Sequence, residues 1–432
     1  MSDQTSQPQP EKNDKKNAAQ IFLEELTAGQ AGSKSRWRRI FQSTLVPFLA
    51  MITGLLLGAV LIVFTTETVY AGFRLSFVEG LKAAWQAVAV AYGALFKGAF
   101  GDPAVIIAAI RSGEAQALNS AIYPFTESLV AATPYIFAGL SVALGFRAGL
   151  FNIGAEGQIF LGAVFATYVG YSVKGLPAII HLPLALLAGF VGGGLWGFIP
   201  GWLKARTGAH EVINTIMLNY IAFRLSDWLL TGPMKRPGSF NPVSPTIEET
   251  AKLPALFGAP VRFHLGFFVA LLVAWLVHWF LFKTKWGFDL RTVGANPRAA
   301  RYAGMSVTGG MVIAMVIAGA LAGMAGANEV LGVNHNLAQA FSSGYGFDAI
   351  ALALLGNSQP AGVVLASLLF GALRNGATGM QLAADIPIDI ISVVQAFILV
   401  FVAAPVIIRT IYRLRKPTVE EEVVLVGGWG GQ

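Results

Sequence analysis

The sequence carries one fragment of a catalytic motif, the pair His210-Glu211. In HExxH zinc proteases two histidines four residues apart bind the metal and the glutamate acts as a base, but here the second position is Asn214. The chain also has no cysteine and no GxxxxGK[ST] phosphate-binding loop. A membrane-embedded enzyme is therefore disfavoured. We expect no metal site, no cofactor and no catalytic residue. The remaining histidines, none with ligand spacing, are His181, His264, His278 and His335.

A second group of residues offers hydrogen-bonding chemistry, because polar side chains interrupt apolar stretches. Neutral amides can meet sugar hydroxyls or a nucleobase, and polar side chains at the ends of membrane helices usually face a cavity. Capping is an equally good interpretation for Asn152, with Glu156 in the first helical turn. Asp348 can cap a half-helix or pair with Arg374 or another cation. The candidates for a translocation pathway are Asn152, Glu156, Gln158, Asn214, Asn219 and Asp348.

The composition indicates that these residues lie in a membrane protein. Charged residues make up 12% of the 432 residues and hydrophobic residues 55%, against about a quarter and about half in soluble proteins. The charges also concentrate at the two ends of the chain, so the middle cannot be coated with charge. The net charge of +7 reflects mainly loop lysines and arginines, and we expect no nucleic-acid partner.

Apolar stretches long enough to cross a bilayer recur along the chain, since a crossing helix needs about 20 residues. We predict an all-α polytopic membrane protein with eight to ten transmembrane helices, some broken or re-entrant. The predicted domains are a disordered tail at 1–39, a membrane domain at 40–408 and a C-terminal tail at 409–432. The candidate spans are 40–66, 128–146, 157–173, 175–203, 212–230, 263–282, 302–328, 330–374 and 390–408. The first of them is expected to direct insertion, because 1–39 lacks a signal-peptide core.

The positions of lysine and arginine predict the orientation. Placing all basic clusters inside makes both termini cytoplasmic and requires an even number of crossings. The stretch 345–374 must then be broken at 357–360, either as two short crossings or as a re-entrant hairpin. We expect outer segments at 67–123 and at the proline-rich 231–262, the latter a docking surface or an inert connector. The basic clusters lie at 34–39, 204–206, 283–301 and 409–416.

Glycines recur at intervals of four residues within one apolar stretch. Such residues stack on one helical face and let a neighbouring helix approach closely. The pattern indicates tight helix packing and says little about substrate. The four glycines are Gly189, Gly193, Gly197 and Gly201.

The segment 284–308 is predicted to be a cytoplasmic loop containing a short helix. Asn296-Pro297 can cap and start that helix, small residues follow, and Gly304 would end it. A short helix with a small-residue surface suits insertion into a groove on a partner protein. An amphipathic helix resting on anionic lipid through Arg291, Arg298 and Arg301 explains the same residues equally well.

Four motifs occur in an order that resembles the permease subunits of ABC importers of nucleosides and simple sugars, with ribose permeases as more distant relatives. They are FRAGLFNIGAEGQIFLGA at 146–163, HEVINTIMLNYIA at 210–222, NPRAARYAGM at 296–305 and GFDAIALALLGNSQPAG at 346–362. The resemblance covers about 124–405. Arg298 and Met305 depart from the family pattern, where an acidic residue and isoleucine are expected.

This resemblance implies a pathway-forming subunit of the bacterial cytoplasmic membrane, coupled through 284–308 to a separate cytoplasmic ABC ATPase. It also implies a second permease chain, homologous or identical, and an external substrate-binding protein that makes most of the substrate selection. The positions that carry over as coupling residues are Gly294, Asn296, Ala299, Ala300, Tyr302 and Gly304. The sequence leaves open which nucleoside or sugar is carried.

An ion-gradient-driven secondary transporter is the alternative from another class. Such carriers bind protons or sodium through buried carboxylates, often at discontinuous helices. Four carboxylates could serve here, but a self-sufficient carrier has no need of a long basic internal loop with a coupling-helix pattern. These carboxylates are Glu156, Asp227, Glu329 and Asp348.

Overall fold

The computed structural model of the protein describes residues 45–414, apart from the side chain of Ala403. The predicted tail at 1–39 and residues 415–432 of the C-terminal tail lie outside the described residues. Within 45–414 the chain is mostly helical and has no β-strands beyond two isolated bridges. The predicted all-α class is therefore confirmed for this part of the chain.

The first half of the described chain forms eight helices. They are α1 (Leu45–Thr65), α2 (Glu67–Leu75), α3 (Phe77–Phe100), α4 (Pro103–Ser112), α5 (Ala115–Arg147), α6 (Ala155–Ser172), α7 (Ala178–Thr207) and α8 (Glu211–Thr231). Polar N-cap residues precede two of these helices. The Ser76 hydroxyl accepts from the Glu79 amide ahead of α3, and an Asp102 carboxylate accepts from the Ala104 amide ahead of α4.

A long connection, with one 3₁₀ turn at Glu249–Ala251, leads to the second half. The helices there are α9 (Gly266–Lys283), α10 (Lys285–Ala295), α11 (Pro297–Tyr302), α12 (Val307–Glu329), α13 (Tyr345–Leu355), α14 (Pro360–Ala384), α15 (Asp389–Ala403) and α16 (Pro405–Ile411). A π-helical turn at Val330–Asn334 continues α12. The proline-rich connection starts at Gly232, close to the predicted boundary.

Helix α5 is the centre of the fold. It contacts α3, α9, α12, α13 and α14, and the side chains between Ala132 and Gly145 are all buried. The main core combines α5 with the inner faces of α6, α9, α12, α13 and α14. A helix that is apolar all round lies either in a protein core or in a membrane. Neighbouring helices bury 83% of the most apolar part of α5, against 28% for α1, so the uncharged stretch 128–146 lies in the central helix.

Seven helices among residues 45–414 are long and apolar enough to cross a membrane, or eight if the bent pair α15–α16 is one span. This number lies at or below the lower end of the predicted eight to ten. Helices α6 and α8 formed where spans were predicted, but neither is among the seven. Their polar residues, including Glu156 in α6 and Asp227 in α8, lower their hydropathy.

The segment 67–123 differs from the expected outer segment. It contains the 24-residue helix α3, which joins α4 in one of the seven apolar candidates. Helix α3 packs on α14 where Gly98 approaches Gly376 and Gly379, and the Tyr92 hydroxyl donates to the Leu55 carbonyl of α1. The sequence did not predict α3 as a candidate span, because charged residues interrupt 67–123. The α14 helix it packs against is distant in the sequence.

The predicted break at 357–360 lies between α13 and α14. Asn357 and Ser358 have positive φ angles of 51° and 49°, and Pro360 starts α14. Helix α13 has 11 residues, or about 16 Å, which is too short to cross a hydrocarbon core of about 30 Å. A half-helix followed by a long helix fits the re-entrant alternative better than two short crossings.

The four periodic glycines all face α12. A Cβ atom on Gly193 would lie 2.6 Å from the Gly323 Cα, and one on Gly201 would lie 2.8 Å from the Met315 Cβ. Gly189 and Gly197 approach Ala327 and the Met315 carbonyl in the same way. The close approach of α7 and α12 therefore depends on the absence of side chains along this stripe.

Gly193→Ala is expected to destabilise the protein by about 1–3 kcal/mol, because its methyl group meets backbone atoms that cannot move aside. Gly194→Ala is the matched control on the same helix, since its Cβ would have its nearest contact at an ordinary 3.4 Å from Ala320. Alanine also favours a helix by about 1 kcal/mol over glycine. Thermal unfolding in detergent should show a lower melting temperature for Gly193→Ala only, and equal values would contradict the close-contact interpretation.

Candidate functional site

The coupling segment consists of two helices, α10 and α11, where the sequence predicted only one. The Thr284 hydroxyl accepts from the Gly287 amide and starts α10. The Asn296 side chain accepts from the amides of Arg298 and Ala299, each at 3.0 Å, and starts α11. The predicted cap and the helix start at Pro297 are thus present in the structure.

The predicted coupling residues fall into an exposed and a buried group. Tyr302 is 95% exposed, and Asn296, Ala299 and Gly304 are also exposed. Ala300 is fully buried between Val293 of α10 and Val307 of α12. The exposed residues can contact a partner, whereas Ala300 holds the short helix against its own chain.

Gly294 packs against the turn between α5 and α6. A Cβ on Gly294 would lie 2.6 Å from the Ala148 carbonyl carbon, and one on Gly149 would lie 2.9 Å from the Gly294 Cα. Gly149 also has a φ of +70°, a conformation that favours glycine. Gly294 is therefore a backbone contact between the coupling segment and the membrane helices.

Asn152 and Gln158 bind each other at the start of α6. The Asn152 Nδ2 donates to Gln158 Oε1 at 2.8 Å, and Gln158 Nε2 donates to Asn152 Oδ1 at 3.2 Å. The Asn152 Oδ1 also accepts from the Gly154 amide at 3.1 Å. Both side chains are 1% exposed. In this conformation the two amides bind each other and stabilise the turn.

Asn219 ties α8 to the same turn. Its Oδ1 accepts from the Gly157 amide at 2.8 Å and its Nδ2 donates to the Ile153 carbonyl at 2.9 Å. Asn214, one turn earlier in α8, has a buried Nδ2 with no hydrogen-bond partner among the described residues. Of the predicted neutral amides, Asn214 alone thus keeps a donor unpaired in the described structure.

Glu156 binds the amino-terminal end of α13. Its Oε2 accepts from the Gly346 amide at 2.6 Å, and the side chain is 2% exposed. A helix start carries partial positive charge and unpaired amides, so a carboxylate is stabilised there. Glu156 therefore serves as a tertiary cap for the half-helix, although it lies 190 residues away in sequence.

Asp348, in the first turn of α13, forms a cluster with residues of α5 and α14. The Tyr135 hydroxyl donates to Asp348 Oδ2 at 2.8 Å, and Arg374 Nη1 donates to the Tyr135 hydroxyl oxygen at 2.6 Å. Arg374 also lies 3.9 Å from Asp348 and 5.0 Å from the ring centre of Tyr345. Of the alternatives for Asp348, the structure shows the pairing with Arg374.

Sequence reasoning missed Tyr135 and Tyr345, because aromatic residues in apolar helices are usually core residues. It also missed the bonds of Arg147, whose side chain reaches the turn between α13 and α14. A positive charge at the end of an apolar stretch is a weak signal, since such residues commonly lie at membrane boundaries. The contact partners are more than 200 residues away.

The connection between α8 and α9 is packed onto the helices rather than free. Arg262 forms an ion pair with Glu127 of α5, and this hydrogen-bonded carboxylate raises the pKa of Arg262. His264 is buried against Gly266 and Gly332, and burial lowers its pKa to about 4. The ion pair holds this connection to α5.

No group of three or more potential metal ligands occurs among the described residues 45–414. In the HExxH-like fragment, Glu211 forms an ion pair with Lys204 at 2.8 Å and does not belong to a group of metal ligands in the described part of the chain. The geometry therefore offers a capped helix pair, a backbone contact between that pair and the apolar helices, and a charged cluster within the apolar helices.

Residues 125–403 match the family described as "Branched-chain amino acid transport system / permease component". The matched region is more than half of the chain, and the chain belongs to this family. It is therefore a multi-pass membrane protein and a permease component, distinct from the ATPase of such a system.

Named relatives match over most of their length. The chain is 40% identical to the guanosine ABC transporter permease protein NupP of Bacillus subtilis, covering 86% of this chain and 97% of the relative. It is 32% identical to the nucleoside ABC transporter permease protein NupB of Lactococcus lactis, covering 85% and 93%. It is 38% identical to the glucose ABC transporter permease protein TsgB13 of Haloferax volcanii, covering 65% and 76%. No solved structure matches the chain.

Proposed function

We propose that this chain forms the translocation pathway of an ABC importer for nucleosides or related simple sugars. The observation that carries the proposal is the 40% identity to a guanosine permease across 97% of that relative. Relatives named for nucleosides and for glucose support an uncharged, hydroxyl-rich cargo over the branched-chain amino acids of the family description. The particular nucleoside or sugar is set by the external binding protein.

The proposed assembly has the partners that the family resemblance implies. A cytoplasmic ABC ATPase supplies the energy, a second permease chain completes the pathway, and an external binding protein delivers the cargo. The complex lies in a bacterial cytoplasmic membrane, with an even number of crossings in this chain and both termini in the cytoplasm. The basic clusters at 34–39, 204–206, 283–301 and 409–416 support this orientation.

The exposed coupling residues are proposed to contact the ATPase. Asn296, Ala299, Tyr302 and Gly304 present the surface, whereas Ala300 and Gly294 fix α10 and α11 to the rest of the chain. Helix insertion into a groove is favoured over a purely lipid-bound helix, because Tyr302 and the small residues project together from a rigidly capped helix.

The pathway is proposed to run past the cluster of Tyr135, Asp348 and Arg374. Tyr135 lies twelve residues before Arg147, about 18 Å along α5, which is near the middle of a bilayer core. The Asp348 and Arg374 side chains are 36% and 30% exposed. Charged side chains at that depth face water or another protein chain and not lipid. Glu156 and the amides of Asn152, Gln158, Asn214 and Asn219 would shape this region.

A secondary transporter remains the second candidate, because Glu156, Glu329 and Asp348 are carboxylates within or beside apolar helices. Glu156 is engaged by the start of α13 and Asp348 by Tyr135 and Arg374. Carboxylates that already have partners are poorly placed to carry an ion across the membrane. The paired helices α10 and α11 also have no role in such a carrier.

Reconstitution in vesicles tests the proposal. The chain should be purified with its partner permease and ATPase, and uptake of tritiated guanosine, uridine and glucose measured with the binding protein present. Uptake is expected only with ATP. The control is this chain alone under an imposed proton or sodium gradient, and accumulation in those vesicles would overturn the proposal.

A further inference from the structure

Arg147, the last residue of α5, connects that helix to the turn between α13 and α14. Its Nε donates to the Ser358 carbonyl at 3.0 Å, and its Nη2 donates to the Asn357 carbonyl at 3.1 Å. Two successive carbonyls thus bind one planar guanidinium. Such a fork fixes orientation as well as distance, which a lysine ammonium cannot do.

The same residue also contacts the coupling segment. A Cβ built on Gly294 of α10 would clash with the Arg147 carbonyl oxygen. The Arg147 guanidinium carbon lies 5.7 Å from the ring centre of Phe282, and that of Arg291 lies 5.0 Å from the same ring. Arg147 therefore touches the end of α9, the end of α10 and the turn after α13.

Helices α10 and α11 form a tight unit on one side of this contact. The Asn296 amide donates to the Thr292 carbonyl of α10, and its side chain caps α11. Ala300 is enclosed by Val293 and Val307. A displacement of α11 is therefore expected to move Gly294 of α10 with it.

Helix α13 provides the connection on the other side. Gly356 and Gly362 bring the chain into backbone contact across the turn, where a Cβ on Gly356 would lie 2.6 Å from the Gly362 carbonyl carbon. The helix ahead of the turn is about 16 Å long and carries Asp348 near its opposite end. Arg374 lies on α14, on the far side of the turn, so a change in the angle between α13 and α14 at the turn moves Asp348 relative to Arg374.

We propose that Arg147 is a positioning residue that transmits movement of α10 and α11 to the turn at 357–358, and through α13 to the cluster of Asp348 and Arg374. The proposal rests on the proposed import function, in which an ATPase moves α11. Arg147 contacts neither cargo nor nucleotide in this role. In this role Arg147 couples ATP hydrolysis by the ATPase to the opening of the translocation pathway.

The test compares Arg147→Gln with the unaltered complex in vesicles holding both permeases, the ATPase and the binding protein. Guanosine uptake and ATP hydrolysis are measured together and expressed as molecules transported per ATP. This ratio is expected to fall at least tenfold in Arg147→Gln while ATP hydrolysis stays within twofold. Arg147→Lys should recover part of the ratio, because an ammonium can still reach one carbonyl.

Arg236→Gln is the matched control. Arg236 binds the Ser244 carbonyl through Nε and the Thr246 hydroxyl through Nη2, both at 3.1 Å, but in the connection between α8 and α9. Its ratio of transport to hydrolysis should equal that of the unaltered complex. A ratio within twofold of normal in Arg147→Gln would overturn the proposal. No ATP-dependent uptake of guanosine, uridine or glucose by the unaltered complex would instead count against the import function.

A distance measurement covers the case in which Arg147→Gln does not assemble. The chain has no cysteine, so Ala295→Cys and Gln359→Cys, both exposed, can carry spin labels beside the two sides of the contact. Their separation is expected to stay constant between nucleotide-free and nucleotide-trapped complexes, and to vary in Arg147→Lys. A separation that changes with nucleotide in the otherwise unaltered chain would show that the two sides move independently.

Discussion

Replacing Ala300 by glutamate is expected to abolish ATP-dependent uptake while the protein still inserts into the membrane. Ala300 is fully buried between Val293 and Val307, so a carboxylate there has no room and no partner. Burying an unpaired charge costs several kcal/mol, which exceeds what a six-residue helix can contribute. Helix α11 would therefore leave its position beside α10.

The measurement is uptake per inserted protein, together with copurification of the ATPase. We expect uptake below a twentieth of normal and loss of the copurified ATPase. Insertion should be unchanged, because Ala300 lies outside the apolar spans that direct it. Ala178→Glu is the control, since this exposed first residue of α7 favours an acidic side chain. Normal uptake with Ala300→Glu would refute the role of this helix.

Removing the charge of Arg374 is expected to reduce uptake at least tenfold and to lower the melting temperature. Arg374 lies 3.9 Å from Asp348, donates to Tyr135 and lies over the Tyr345 ring. In Arg374→Gln the Asp348 carboxylate keeps only the Tyr135 hydroxyl among these partners. Removing one partner of a fully buried pair costs about 3–5 kcal/mol, and partial exposure reduces this to roughly 1–3 kcal/mol.

A double-mutant cycle isolates the pair. Asp348→Asn and Arg374→Gln should each destabilise the protein, and the double variant should be more stable than the sum of the single effects predicts. Arg224→Gln is the matched control, because its pairing with Asp227 at 3.6 Å lies on the surface with Arg224 88% exposed, where such pairs contribute about 0–1 kcal/mol. Additive effects at Asp348 and Arg374 would mean that the two charges do not interact.

Local features of the sequence predicted those helix starts and breaks that are set by residues adjacent in the chain. The start of α11 needs only an asparagine cap followed by proline, and the break before α14 needs only the turn residues ahead of Pro360. The glycine stripe of α7 follows from its spacing alone. The helix that this stripe contacts cannot be predicted from the spacing, because Gly319 and Gly323 of α12 lie more than 120 residues away from the glycines they contact.

The amide residues show why the candidate site could be predicted only in part. The type of residue marked Asn152, Gln158 and Asn219 as hydrogen-bonding groups. Their partners could not be read from the type, because an amide serves equally well to bind a ligand or to close a turn. In the structure they bind one another and the backbone, whereas the donor of Asn214 has no partner among the described residues.

The sequence by itself determined that this protein is helical and membrane-embedded and that a capped short helix starts at Pro297, and its motifs indicated the permease family. Apolar run length, charge placement and helix caps are each properties of one continuous stretch of chain, so they can be read directly from the sequence. The tertiary structure alone decided that Arg147 joins the coupling segment to the broken helix, and that Tyr135 lies between Asp348 and Arg374. These contacts join residues more than 140 positions apart, and only the packing of complete helices brings them together.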